Sequence, residues 1–279
     1  MHALLFAFLL GFLKRADASS AERSDHAWGY DGANGPDSWP AICHTGRRQS
    51  PIDINPARVA VVNLPQLNFI NYDRMGNILL TNNGHTVTTT GYDRWPNPPY
   101  IFGGGLDGKY NLVGLHFHWG DYDYQGSEHT FDSLHYPLEA HFVHQKDGLN
   151  ANQSLLVSNG MAVVSIFFKM GGDGNALRQF EEAFRSSDPY ESALNVSNIL
   201  LTEILPANTL SFYRYDGSLT TPGCNEAVVW TILAEPMSVS EQQLNELREH
   251  FSSSERLLHN TRPTQPLNER RVLFRPSMI

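Results

Sequence analysis

Residues 112–120 read LVGLHFHWG, two histidines either side of a phenylalanine inside an otherwise apolar run. Read as a strand, the run sends successive side chains to opposite faces, so residues two apart share a face. His116 and His118 then point one way, and Leu115, Phe117 and Trp119 point the other. A sheet carrying two parallel imidazoles on one face is half of a metal site, and the rest of the chain has to supply the other half.

A second run, YPLEAHFVHQ at 136–145, reads as another strand. Glu139, His141 and Val143 fall on one face, and Ala140, Phe142 and His144 on the other. If the two strands pair antiparallel, His141 meets His116 and His118. Three imidazoles with an open fourth position make the ligand set of a catalytic zinc site. Glu139, on the same face as His141, can accept that ring's second N–H and fix its tautomer. The bland alternative is a set of satisfied, partly buried histidines, of which a chain with twelve has many to place. Other histidine-rich sites fit less well. No His-Glu pair exists to start the His-Glu-x-x-His helix of a zincin. Where a cupin needs a glutamate after His-x-His, this chain has Tyr122 and Asp123.

The surrounding sequence reads as mainly β, or α+β, in one domain. NILLTNNGHTVTTT, MAVVSIFFKM and EAVVWTILAEP are further runs rich in β-branched and aromatic residues and bounded by Gly, Asn or Asp. Two helices are expected at the periphery. One places Leu177, Phe180 and Phe184 on one face; the other places Leu244, Leu247 and Phe251, with Ser240 and Gln243 at capping-box spacing. Strands and helices do not alternate regularly, which argues against a doubly wound fold. Residues 19–50, rich in Gly, Pro and Ser, read as an irregular wrap.

A net charge of −9 with no basic block argues against nucleic acid. The apolar run Ala3–Leu13 is short for a membrane span and ends at Ala16-Asp17-Ala18, a small-x-small cleavage pattern. Residues 1–18 therefore read as a secretory signal peptide and 19–279 as the mature domain, with an uncleaved N-terminal anchor as the alternative. No second membrane span is expected in the mature chain. Secretion agrees with the even cysteine count, Cys43 and Cys224, and with sequons at Asn152 and Asn195 that can carry glycans. No feature of the residues sets an oligomeric state.

LHFHWG, followed by QGSEHT at 125–130 and EAHFVH at 139–144, resembles the α-class carbonic anhydrases, secreted type. So do HAWGY (26–30), NGPDSW (34–39), RQSPIDI (48–54), NNGH (82–85), GSLTTPGC (217–224), VVWTIL (228–233) and RPTQPLN (262–268), in order along nearly the whole mature chain. The resemblance implies a central twisted, mostly antiparallel sheet with peripheral helices and a conical cavity ending at zinc. It implies reversible hydration of CO2 to bicarbonate and a proton by zinc-bound hydroxide.

By the same resemblance His116, His118 and His141 are the zinc ligands, and a backbone carbonyl near Asn260 supports His118. Thr220 and Glu128 orient the nucleophile. Val143, Val163, Leu219, Val228 and Trp230 form the apolar wall for CO2, with Thr221 on the polar side. His85 is the proton shuttle, with Tyr30 and Asn83 organising water between it and the metal. Cys43 and Cys224 form the disulfide that anchors the loop of Thr220. One departure stands out: the family commonly has glutamine two residues before the first ligand, and here that position is Gly114. Two other readings share these residues, a binding module that has lost catalysis and a zinc esterase. Retention of all three histidines together with Glu128, Thr220 and His85 speaks against the first, and the second is expected only as a side activity.

Overall fold

The computed structural model describes residues 28–253 and 255–277, so the expected signal peptide at 1–18 lies outside the described residues. Seventeen strands appear among them. They are β1 (Asp53–Ile54), β2 (Ala60–Val61), β3 (Leu67–Ile70), β4 (Met75–Asn82), β5 (Val87–Thr90) and β6 (Tyr100–Gly103). Next come β7 (Tyr110–Trp119), β8 (Thr130–Phe131), β9 (Leu138–Lys146), β10 (Met161–Met170), β11 (Ala193–Leu200) and β12 (Phe212–Gly217). The last are β13 (Val228–Leu233), β14 (Met237–Val239), β15 (Phe251–Ser252), β16 (Glu255–Arg256) and β17 (Leu273–Arg275). The helices are short: α1 (Ile42–Thr45), α2 (Ala151–Leu156), α3 (Glu181–Ser186) and α4 (Glu241–Arg248).

Thirteen of these strands form one large sheet, along the path β11-β4-β5-β7-β9-β10-β13-β12-β17-β2, with β3, β6 and β14 attached to its side. Most neighbours are antiparallel; β10 with β13, β10 with β14, and β17 with β2 run parallel. The mainly β architecture with peripheral helices is thus the one expected. Burial follows position in the sheet. Central β10 is buried continuously from Met161 to Phe168 because both faces are covered, whereas edge strand β11 alternates exposed and half-buried residues from Ala193 to Ser197. Two apolar clusters result. The larger includes Leu115, Phe117 and Trp119 with Phe180, Phe184 and Leu244; the smaller gathers Ile52, Val143, Val163, Val228, Trp230 and Ile232.

The run 77–90 looked like one segment and is a hairpin. β4 and β5 pair antiparallel across a turn in which Gly84 takes φ +82° and Asn83 Oδ1 accepts from the backbone N–H of His85 and of Thr86, both at 2.9 Å. The first expected helix begins as a 3-10 segment, Asn175–Phe180, before α3. Leu177 and Phe180 stay buried because a three-residue turn also brings i and i+3 to one side. In α4 the Ser240–Gln243 capping box forms as expected. Phe251, expected on this helix, lies instead in β15, because α4 ends at Arg248. There the His250 Nδ1–H donates to the Glu246 and Leu247 carbonyls, both at 3.1 Å, and closes the last turn.

His144 and His250 are both fully buried and neutral, their pKa values pulled down by burial to about 3 and about 4. His144 donates from Nδ1 to the Ala162 carbonyl at 3.1 Å, and its Nε2 accepts from the Tyr72 hydroxyl at 2.6 Å. The unfolded chain protonates these rings near the ordinary 6.5 and so binds more protons than the folded chain below that pH. Stability present above pH 6.5 should therefore fall as the pH drops toward 4, by roughly 1 kcal/mol per such histidine per pH unit. Urea unfolding at successive pH values measures this slope, and His144→Gln should reduce it by about one histidine's share. An unchanged slope in that variant would count against the assignment.

Candidate metal centre

β7 and β9 pair antiparallel in the register His116↔His141 and His118↔Glu139, with a shift between Leu112 and Gly114 that marks a bulge at Val113. This register brings the three imidazoles together. Ring centroids lie 4.9 Å apart for His116–His118, 5.1 Å for His116–His141 and 4.5 Å for His118–His141, and one nitrogen from each falls within 4.8 Å of the others.

Hydrogen bonds behind the rings decide which nitrogens face inward. His118 Nδ1 donates to the Asn260 carbonyl at 2.8 Å, which leaves Nε2 bare. His141 Nε2 donates to Glu139 Oε1 at 2.7 Å, which leaves Nδ1 bare. His116 is half-buried and has no ring hydrogen bond among the described residues; Gly114, two residues earlier on β7, has no side chain to offer one. Burial is the main force holding all three histidines below their ordinary basicity, His118 at about 4, so at neutral pH each presents a lone pair and no charge. His118 Nε2 is buried with no hydrogen-bond partner. An unsatisfied buried acceptor among converging neutral imidazoles is what a cation would complete, so these residues fit a metal ion.

Glu139 is fully buried and anchors this arrangement. Its Oε1 accepts from His141 Nε2, from His129 Nδ1 at 2.7 Å and from Ser165 Oγ at 2.6 Å, and its Oε2 accepts from the His129 backbone N–H at 2.8 Å. Burial alone would raise its pKa; His129 and His141 outweigh that and hold it well below the usual carboxylate range. His129 bonds the Tyr215 hydroxyl at 2.7 Å through Nε2, and Tyr215 donates to Ser50 Oγ at 2.8 Å. Sequence reasoning missed Ser165, Tyr215 and Ser50. A clue to the first was available, since it is the lone polar residue in AVVSIFF and lies opposite His141 in the sheet.

Glu128 is fully buried on the other side of the cluster. Its Oε1 accepts the Arg262 backbone N–H at 2.9 Å, and its Oε2 lies 3.5 Å from His118 Nε2 and 4.0 Å from His141 Nδ1. Burial raises its pKa to about 7, against the opposing pull of His141, the Arg262 N–H and the Thr220 hydroxyl. Glu128 Oε2 has no well-formed hydrogen bond, so the Thr220 contact is a loose one.

Thr220 is buried in a loop held by Leu219 N–H to Asn225 O at 3.0 Å, Cys224 N–H to Thr221 O at 2.9 Å, and Trp230 Nε1–H to Ser218 O at 3.0 Å. The Cys43–Cys224 disulfide forms, with Cα atoms 5.2 Å apart. Val143, Val163, Val228 and Trp230 pack in one apolar cluster with Leu219 against it, and the Trp230 ring lies 4.8 Å from His141. Thr221 is half-buried.

His85 is half-buried in the β4–β5 turn, with its ring stacked on Trp28 at 3.7 Å and 10°. Burial lowers its pKa to about 4. Asn83 is engaged in the turn, and Tyr30 packs edge-on against Trp28 at 5.3 Å. Asn152 in α2 and Asn195 in β11 are both exposed.

Residues 34–276 match the family described as eukaryotic-type carbonic anhydrase. The chain is 42% identical to a putative carbonic anhydrase 5 of Caenorhabditis elegans, over 100% of this chain and 90% of that protein. It is 42% identical to a putative carbonic anhydrase 3 of Caenorhabditis elegans, over 88% of this chain and 96% of that protein. It is 35% identical to carbonic anhydrase 3 of Homo sapiens, over the same shares.

Proposed function

This chain belongs to the eukaryotic-type carbonic anhydrases, a family of enzymes, and we propose that it hydrates CO2 reversibly to bicarbonate and a proton with zinc held by His116, His118 and His141. The observation that carries the reading is the convergence of three neutral imidazoles, two of which have their inward nitrogen selected by a fixed hydrogen bond, Asn260 O on His118 and Glu139 on His141. Bound there, zinc supplies the Lewis acidity that makes water a nucleophile near neutral pH.

The chain's own groups do the rest. When the Thr220 hydroxyl donates to Glu128, its oxygen is left as an acceptor for the hydrogen of the attacking oxygen, which turns a lone pair toward carbon. Val143, Val163, Leu219, Val228 and Trp230 offer CO2 a dry surface beside the histidines, and Thr221 offers the polar side. His85 takes the proton outward, aided by Tyr30 and Asn83. Stacked on Trp28, its ring is too weak a base to hold a proton at neutral pH, so the relay needs the ring turned toward water.

We place the enzyme outside the cell. The disulfide supports this, and no helix among the described residues is long and apolar enough to cross a membrane. Asn152 and Asn195 are the proposed glycan sites.

Purified protein should carry one zinc per chain, lose CO2 hydration on chelation and regain it with zinc. Hydration persisting in metal-free protein would overturn the reading. His85→Ala should lower maximal hydration in weak buffer, leave CO2–bicarbonate exchange at equilibrium nearly unchanged, and recover with small imidazole buffers. Thr220→Ala should lower both rates without buffer rescue, because it acts on the attack and not on proton export. If His85→Ala matches the parent in weak buffer, the proton leaves by another route.

A further inference from the structure

Residues 257–267 contain neither helix nor strand, yet this segment delivers two backbone groups to the centre. The Asn260 carbonyl accepts from His118 Nδ1 at 2.8 Å, and the Arg262 N–H donates to Glu128 Oε1 at 2.9 Å. A backbone outside any ladder has no intrinsic means of holding such groups in place. Three isolated backbone bonds hold it, from the N–H of Leu257 to His250 O, of Asn260 to Trp119 O and of Gln265 to Pro51 O, and side chains supply the rest of the anchoring.

Both residues supply one. The Asn260 side chain grips β7 on either side of the ligand: Oδ1 accepts from the Trp119 N–H at 2.7 Å, and Nδ2 donates to the Phe117 carbonyl at 3.0 Å. Nδ2 also donates to the His85 carbonyl at 3.0 Å, and the Asn260 N–H reaches Trp119 O at 3.2 Å. Every hydrogen-bonding group of the amide is therefore used, and the carbonyl is presented to His118 from between its own neighbours. The Arg262 side chain ties the other end to the N-terminal region. Nη1 donates to Gln49 Oε1 at 3.0 Å and to the Ser50 carbonyl at 2.8 Å, Nη2 donates to the Cys43 carbonyl at 2.7 Å, and the guanidinium lies 5.6 Å over Trp39. Both residues are buried.

We propose that Asn260 and Arg262 are positioning residues with separate targets: the Asn260 side chain holds ligand His118 through the backbone carbonyl, and the Arg262 side chain holds Glu128 through the backbone N–H. The assignment rests on the carbonic anhydrase reading above. Asn260 governs metal retention, and Arg262 governs turnover.

The experiment compares Asn260→Ala and the isosteric Asn260→Asp, which sets an acceptor oxygen against the Phe117 and His85 carbonyls, with Arg262→Met and the conservative Arg262→Lys, all as zinc-loaded full-length protein. Tyr110→Phe serves as a stability control, since that hydroxyl bonds Asp107 and Asn159 far from the centre. Zinc release to excess chelator, kcat and KM for CO2 hydration, and melting temperature of the metal-free protein are measured for each. The Asn260 variants should release zinc about tenfold faster or more. Arg262→Met should lower kcat about tenfold with KM and zinc release within twofold of the parent, and Arg262→Lys should recover part of that loss. If zinc release and kcat instead move together, in proportion to the loss of melting temperature and as in the control, the two residues are only structural and the inference fails. A parent protein that binds no zinc or hydrates no CO2 would sink the functional reading itself, which keeps the two failures apart.

Discussion

Replacing His141 with alanine should leave well under one zinc per chain and abolish CO2 hydration. The change removes one of three converging nitrogens, and two imidazoles make a poor tetrahedral cage. It also removes one of the donors that satisfy Glu139, a fully buried carboxylate then left with His129 and Ser165. A buried acceptor that loses a charge-assisted partner is destabilising by about 1–3 kcal/mol, so the metal-free variant should also melt earlier. His141→Gln keeps a donor for Glu139 and separates the two losses: it should recover stability and leave activity absent. Zinc content by elemental analysis, hydration rate and melting temperature decide the matter. Full activity at one zinc per chain in either variant would refute the ligand assignment.

Cys43→Ser with Cys224→Ser should lower stability by up to about 5 kcal/mol, the chain-entropy figure for a loop closed across 181 residues. Activity should decline at lower denaturant than global unfolding does, because the bridge ends in the loop of Thr220. Cys224 sits at φ +39° next to Gly223 at φ +108°, a conformation that needs its surroundings to persist. The Cys224 carbonyl accepts from Gln49 Nε2 at 3.1 Å, and the Cys43 carbonyl accepts from Arg262 Nη2. Losing the bridge therefore loosens both the Thr220 loop and the clamp on Glu128. Parallel denaturant titrations of activity and of tryptophan fluorescence test this, and coincident midpoints would contradict it.

Much of this was legible along the chain. Alternation in LHFHWG and LEAHFVH assigned His116, His118, Glu139 and His141 to faces, and the Ser240–Gln243 spacing marked the start of α4. Legibility failed where local pattern had a rival. The 175–184 stretch has apolar spacing that suits both a 3-10 turn and an α-helix, and it uses both. Phe251 extended the helical spacing, but His250 closes α4 first.

The residues by themselves determined which side chains can share a face, because strand and helix periods are local properties of the backbone. They also determined the apolar runs that must lie inside the sheet. The tertiary structure decided the register of β7 against β9, with its bulge at Val113, and so decided that His141 meets His116 and His118; it also gave His144, already on the opposite face, Tyr72 as its partner. It decided the tautomers, through Asn260 for His118 and Glu139 for His141. It also placed Trp28 on His85 and drew Arg262 between Cys43 and Glu128. These contacts join residues that are mostly far apart in the chain. Their geometry depends on how the whole sheet closes, and no periodicity along one strand encodes that closure.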